Sequence, residues 1–168
     1  MLRQPLNRVQ ALLLSAAVLL LLFMATPGWL RLDGMPPSWS VLWLLPWAVV
    51  EGPWSGLMAG LVLGLAVDGL HGDGLTTLPA LVLLGLWWGQ FRDARRPLER
   101  STTLGLQALL GTLLLNGSLA VQLFWRGEVM LLAWQFTAAQ ALLTALLAPM
   151  LCSLQLLFWR RVATRYGR

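Results

Sequence analysis

Apolar residues run through this chain in long blocks, interrupted only by short clusters of glycine, proline and charge. Strict alternation is absent, and the blocks are too long for buried strands, so the elements they predict are helices that are apolar on most sides. The first run extends from Val9 to Ala25 behind a head carrying Arg3 and Arg8. It is longer than the apolar centre of a cleavable signal and meets Pro27 and Trp29 where small residues would be cut, which reads as a retained signal-anchor. Gly28 to Ser38 contains Arg31, Asp33, Gly34, Pro36 and Pro37, the turn formers and charge of an exposed loop. A second span follows from Trp39 to Val50, short and with Pro46 inside it, and Glu51-Gly52-Pro53 ends it. A third runs from Trp54 to Leu70. These two form either a tight helical hairpin or a partly re-entrant pair, whose irregular backbone other helices would have to cover.

A glycine-rich turn from Gly69 to Thr77 then returns the chain into a fourth span, from about Leu75 to Phe91. Arg92, Arg95, Arg96 and Arg100 around Pro97 make a solvated loop before a fifth span from Thr102 to Phe124. Arg126, Gly127 and Glu128 form the next loop. The sixth run, Val129 to Phe158, is longer than one crossing requires, and Pro149 is expected to bend it and leave its last turns near the lipid headgroups.

Composition sharpens this picture. The 168 residues are 58% hydrophobic and 11% charged, with a mean hydropathy of +0.70, whereas soluble domains are about 25% charged. That length holds about six spans with short loops and no separate enzymatic domain. The expected fold is therefore all-α: one polytopic membrane domain over residues 1–168, a six-transmembrane-helix bundle.

All twelve basic residues are arginine, against seven acidic ones. They cluster between apolar runs, the pattern of membrane orientation and not of nucleic-acid binding. With six spans, ten arginines fall on the side of the two termini and two on the other. The excess places both termini in the cytoplasm, with Arg92, Arg95, Arg96, Arg100, Arg160, Arg161, Arg165 and Arg168 as the main determinants. Eight of the ten tryptophans lie at or near span ends, where the indole ring favours the interface. Trp43 and Trp47 lie within the second span instead, four apart on one face, where they either fill space or stack on a ligand.

Candidate chemistry is sparse. One cysteine, Cys152, excludes an internal disulfide or a cysteine metal cluster, and one histidine, His71, excludes a histidine-rich site. His71 and Asp73 share a turn with no further ligand nearby, which reads as surface. The chain has no lysine, no Gly-x-Ser-x-Gly, no His-Glu-x-x-His and no phosphate loop, and Gly105 and Gly111 match no phosphate cradle. Neither an enzymatic activity nor a cofactor is expected. Asn116, Gln122, Gln135, Gln140, Thr144 and Gln155 scatter through the last two spans, where such groups bond helix to helix or line a pore.

The most specific feature lies in the third run. Gly56, Gly60 and Gly64 recur at every fourth position and Asp68 continues the series, so the four share one helical stripe. Small residues in register let helices approach closely in lipid, within the chain or against a partner. A carboxylate at the end of such a stripe is either a proton, cation or substrate site, or a structural cap for the turn that follows through Thr76, Thr77 or the amides around Gly69 to Gly74.

The string Gly-Leu-Met-Ala-Gly-Leu-Val-Leu-Gly-Leu-Ala-Val-Asp-Gly-Leu-His-Gly, from Gly56 to Gly72, resembles the rod shape-determining MreD family, whose hallmark is a glycine-rich helix ending in G-x-x-x-D-x-x-x-G. Gly64, Asp68 and Gly72 fill that pattern, Pro37-Ser38-Trp39 opens the second span in the same manner, and the basic tail agrees. Where the family often carries one more glycine, this chain has Thr76. The resemblance implies a non-enzymatic scaffold of bacterial cell elongation in the inner membrane, needed for rod shape and lateral peptidoglycan synthesis. Its implied partners are MreC and, through it, MreB, RodA and an elongation-specific penicillin-binding transpeptidase. The family is distantly similar to the six-helix substrate-binding subunits of energy-coupling-factor transporters, which supplies an alternative reading as a vitamin-type binding subunit.

Overall fold

The computed structural model describes residues 36–71, 74–91, 101–127 and 133–165. Among them the fold is all helical: α1 (Trp39–Glu51), α2 (Pro53–His71), α3 (Leu78–Gln90), α4 (Ser101–Trp125) and α5 (Ala133–Arg165). Val9 to Ala25, the arginine loop 92–100, Gly72, Asp73 and Arg168 lie outside the described residues, as do the side chains of Arg160, Arg161 and Arg165.

Three helices are long and apolar enough to cross a membrane, over Pro53–Leu70, Thr102–Trp125 and Gln135–Gln155. The other two are apolar but 13 residues each, about 20 Å at 1.5 Å per residue. Large apolar side chains face outward along all three long helices: Trp54, Met58, Val62 and Leu65 on α2, Leu106, Leu110 and Leu114 on α4, and Leu142, Leu146, Met150 and Leu154 on α5. Trp54 is 80% and Leu146 77% exposed, a surface that acyl chains solvate and water does not.

α1 is the centre of the bundle. It touches each of the other four helices, and Val41, Leu44, Leu45 and Ala48 are fully buried. α2 packs antiparallel on α3, and α4 on α5, so the fold is two helical pairs on either side of α1. Gly52 separates α1 from α2 in the left-handed region (φ 99°), with its N–H donating to the Ala48 carbonyl (3.0 Å). A glycine is required there, because a side chain would collide with the backbone in that conformation.

Three boundaries differ from the sequence reading. α3 begins at Leu78 and not near Leu75, because Thr77 is its N-cap and Pro79 occupies its first turn. α2 continues through Gly69 to His71, which shortens the turn. α5 runs unbroken through Pro149, past Phe158 to Arg165, so Arg160, Arg161 and Arg165, expected in a tail, belong to its last turns.

Proline inside a helix removes one donor and frees the carbonyl four residues earlier. Pro46 frees the Leu42 carbonyl, and the Cys152 thiol of α5 lies 4.0 Å from that oxygen and donates to it. Pro149 frees the Ala145 carbonyl, and Gly105 of α4 lies directly over it: a Cβ at Gly105 would sit 3.1 Å from that oxygen. The carbonyl freed by Pro46 is thus given a donor by a neighbouring helix, one way membrane helices tolerate proline, while at Pro149 the neighbouring helix approaches the freed oxygen closely.

The short length of α1 has a related explanation. Pro36, Pro37 and Ser38 are non-helical, yet Pro37 and Ser38 are buried. The Gln140 side-chain amide donates to the Pro36 carbonyl (3.0 Å) and the Ser38 N–H donates to Thr144 Oγ1 (3.0 Å). Thr144 lies near the middle of the apolar stretch Gln135–Gln155. The non-helical residues Pro36 to Ser38 thus lie level with Gln140 and Thr144 of α5 before α1 begins. Two prolines suit that segment because they bring no N–H to be satisfied.

Candidate functional site

The glycine stripe of α2 faces α3 within the chain. A Cβ on Gly60 would lie 2.8 Å from the Leu81 carbonyl carbon and 3.1 Å from Val82 Cα, and one on Gly64 would lie 2.6 Å from Leu78 Cα. A Cβ on Gly56 would collide with the Gly85 carbonyl and with Ala48 Cβ of α1 (2.9 Å). These obstacles are mostly backbone, so neither helix can yield by changing a rotamer.

The partner half of this seam was not read from the sequence. Gly85 of α3 lies against the Gly56 backbone, and Gly89 lies against Pro53, where a Cβ would be 2.5 Å from the Pro53 nitrogen. The signal was present: Gly85 and Gly89 are four apart, the same small-xxx-small spacing as in α2. A second missed pairing is Gly111 with Trp88. The indole is fully buried and crosses to α4, where a Cβ on Gly111 would be 2.6 Å from Trp88 Cη2.

Asp68 closes the seam. Its Oδ1 accepts from the Thr77 N–H (2.7 Å) and the Thr77 hydroxyl (2.6 Å), and its Oδ2 accepts from the Leu78 N–H (3.2 Å). The first amides of a helix have no partner inside it. Here Thr77 makes no side-chain cap of its own, and a carboxylate delivered from the neighbouring helix takes the role. Its negative charge at the α3 N-terminus also complements the helix dipole. Among the described residues Asp68 therefore bonds to Thr77, at the end of the glycine-rich turn, and to the first amide of α3.

The stretch before α3 is held from α4. Gln122 accepts the Thr76 N–H at Oε1 (2.9 Å) and donates Nε2 to the Thr76 carbonyl (2.7 Å), so one amide serves both backbone groups of that residue. The Arg126 guanidinium donates to the Gly74 carbonyl. Gly74 has φ 70°, another left-handed position. Of the remaining polar residues, Asn116 Nδ2 donates to Gln140 Oε1 (2.8 Å) and the Thr144 hydroxyl to the Gln140 carbonyl (2.6 Å). Gln140 thus bridges α4, α5 and the non-helical segment at Pro36. Gln135 lies exposed at the start of α5, and the Gln155 amide nitrogen is buried without a partner among the described residues.

Trp43 and Trp47 stack on each other, with ring centroids 5.8 Å apart and planes 3° from parallel, and Trp47 Nε1 donates to Ser55 Oγ (3.1 Å). Both rings are half-buried against neighbouring helices. Among the described residues no group of three histidine, cysteine or carboxylate side chains could hold a metal. No protein-family model, curated protein or solved structure matches the chain. The arrangement is one of helix-to-helix fastening: backbone contact along glycines, closed at one end by a carboxylate.

Proposed function

We propose that this protein is a non-enzymatic, multi-pass scaffold of the bacterial inner membrane that serves cell elongation by holding partner proteins together. The observation that carries this reading is the string Gly56 to Gly72 with its G-x-x-x-D-x-x-x-G ending, which resembles the MreD family. Three long apolar helices with outward-facing leucine, methionine and tryptophan support the membrane setting. Asp68 has both oxygens engaged in capping α3, which supports an architectural carboxylate over a transported proton or cation.

In this proposal Val9 to Ala25 supplies a sixth span, both termini are cytoplasmic, and the partners are MreC and, through it, MreB, RodA and a penicillin-binding transpeptidase. Cysteine labelling should report Gly34, Gly74 and Gly127 outside, and Pro97 and Arg168 inside; an external C-terminus defeats the topology. Depletion in a rod-shaped host should give rounded cells with delocalised wall synthesis. A vitamin requirement with unchanged cell shape would replace the scaffold by the transporter-subunit reading.

A further inference from the structure

We propose that the outward face of the α2–α3 hairpin thins the bilayer beside it, selecting annular phospholipids with shorter acyl chains than those that suit α4 and α5. The inference rests on the membrane setting proposed above and on the heights of the helices between their polar ends. α3 has 13 residues from Leu78 to Gln90, bounded by Thr77 at one end and the exposed Gln90 at the other. Its height is about 20 Å. On α2 the apolar stretch runs over Pro53–Leu70, 18 residues, about 27 Å at the helical rise. Because Asp68 bonds to Thr77 and Leu78, the polar ends of the two helices coincide at one level.

The other side of the molecule is taller. The apolar stretch of α4 is 24 residues and that of α5 is 21, about 36 and 31 Å. A hydrocarbon core is about 30 Å thick, so α4 and α5 match it with modest tilt, and the hairpin falls short by about 3 Å at α2 and about 10 Å at α3. Tilting shortens a helix further along the membrane normal and offers no remedy. Sliding is blocked as well: Gly89 against Pro53 fixes the inner end of the hairpin, and Asp68 and Gln122 fix the outer end. Trp54, Met58, Val62, Leu65 and Leu83 stand exposed between those ends, so acyl chains must meet them. Drawing the Glu51 carboxylate into hydrocarbon is costly, and the bilayer yields instead. α1 is equally short but carries no such constraint, because its neighbours enclose it.

The test is site-resolved. In a Cys152→Ser background, a fluorescent label is placed at Leu83→Cys on the hairpin or at Leu146→Cys on α5, and the full chain is reconstituted in vesicles mixing dimyristoleoyl and dioleoyl phosphatidylcholine, either one brominated. The hairpin label should be quenched by the short-chain lipid in excess of its bulk share by about twofold or more, and the α5 label should show no such excess. A second measurement follows heat unfolding, by tryptophan fluorescence, in pure dimyristoleoyl, dipalmitoleoyl, dioleoyl and dierucoyl vesicles. Glu51→Leu with Gln90→Leu, which adds about one turn of apolar height, should lower stability in the two shorter lipids relative to dioleoyl, compared with the native chain. Equal enrichment at both labels, or a lipid dependence of stability that the double variant leaves unchanged, overturns the inference. Failure to enter vesicles of any composition would overturn the membrane setting itself, and this inference with it.

Discussion

Removing the acceptors of Asp68 separates an architectural carboxylate from an ionic one. Asp68→Ala deletes three hydrogen bonds and leaves the Thr77 and Leu78 amides at the start of α3 without a partner. An orphaned buried amide costs about 1–3 kcal/mol. Two of them at a half-buried site give about 2–4 kcal/mol, including the lost attraction to the helix dipole. Asp68→Asn keeps one oxygen, which can still accept from the Thr77 N–H and hydroxyl, but turns an NH₂ towards the Leu78 N–H. The loss is then one bond and one charge, about 1 kcal/mol. Titration with sodium dodecyl sulfate in mixed micelles, followed by tryptophan fluorescence, should therefore rank the chains native, Asn, Ala. Restoration of rod shape in a depleted host should track the amount of folded protein. Native-level abundance and stability in Asp68→Asn with complete loss of function would refute the capping argument and assign the charge itself a role. Unchanged stability in Asp68→Ala would refute the energetics.

Gly60→Leu should cost more than about 3 kcal/mol in the same titration, above the usual range for overpacking because the obstacle is the α3 backbone at Leu81 and Val82; wild-type stability would show that the helices can part freely. Gly111→Ala should destabilise by about 1–3 kcal/mol, since its Cβ meets the Trp88 ring. Trp88→Phe in the same chain should recover part of that loss, and strict additivity of the two changes would refute the contact. Gln140→Leu should cost about 1–3 kcal/mol by leaving the Pro36 carbonyl and the Asn116 amide unpaired, and protease sensitivity near Pro36 should rise with it.

Most of the helical inventory was legible from composition and spacing, because blocks of apolar residues between arginine, glycine and proline clusters leave the backbone few alternatives to a helix that satisfies its own hydrogen bonds. The Glu51-Gly52-Pro53 break and the stripe Gly56, Gly60, Gly64, Asp68 could be read directly, since both follow from local rules: a donor-less proline, a left-handed glycine, a four-residue period. What received that stripe was a different matter. Gly85 and Gly89 have the same spacing, but only the antiparallel register of α2 and α3 pairs them with Gly56 and Pro53. Asp68 could have been a cap or an ionic site until α3 presented two unpaired amides to it nine and ten residues along the chain. Likewise Cys152 carried no meaning in the sequence. It acquired one when α5 brought it to the carbonyl freed by Pro46, more than a hundred residues away. Local periodicity determines where a helix forms and which face is narrow, but a hydrogen bond or close approach between distant residues depends on register and crossing, which only the packed bundle decides.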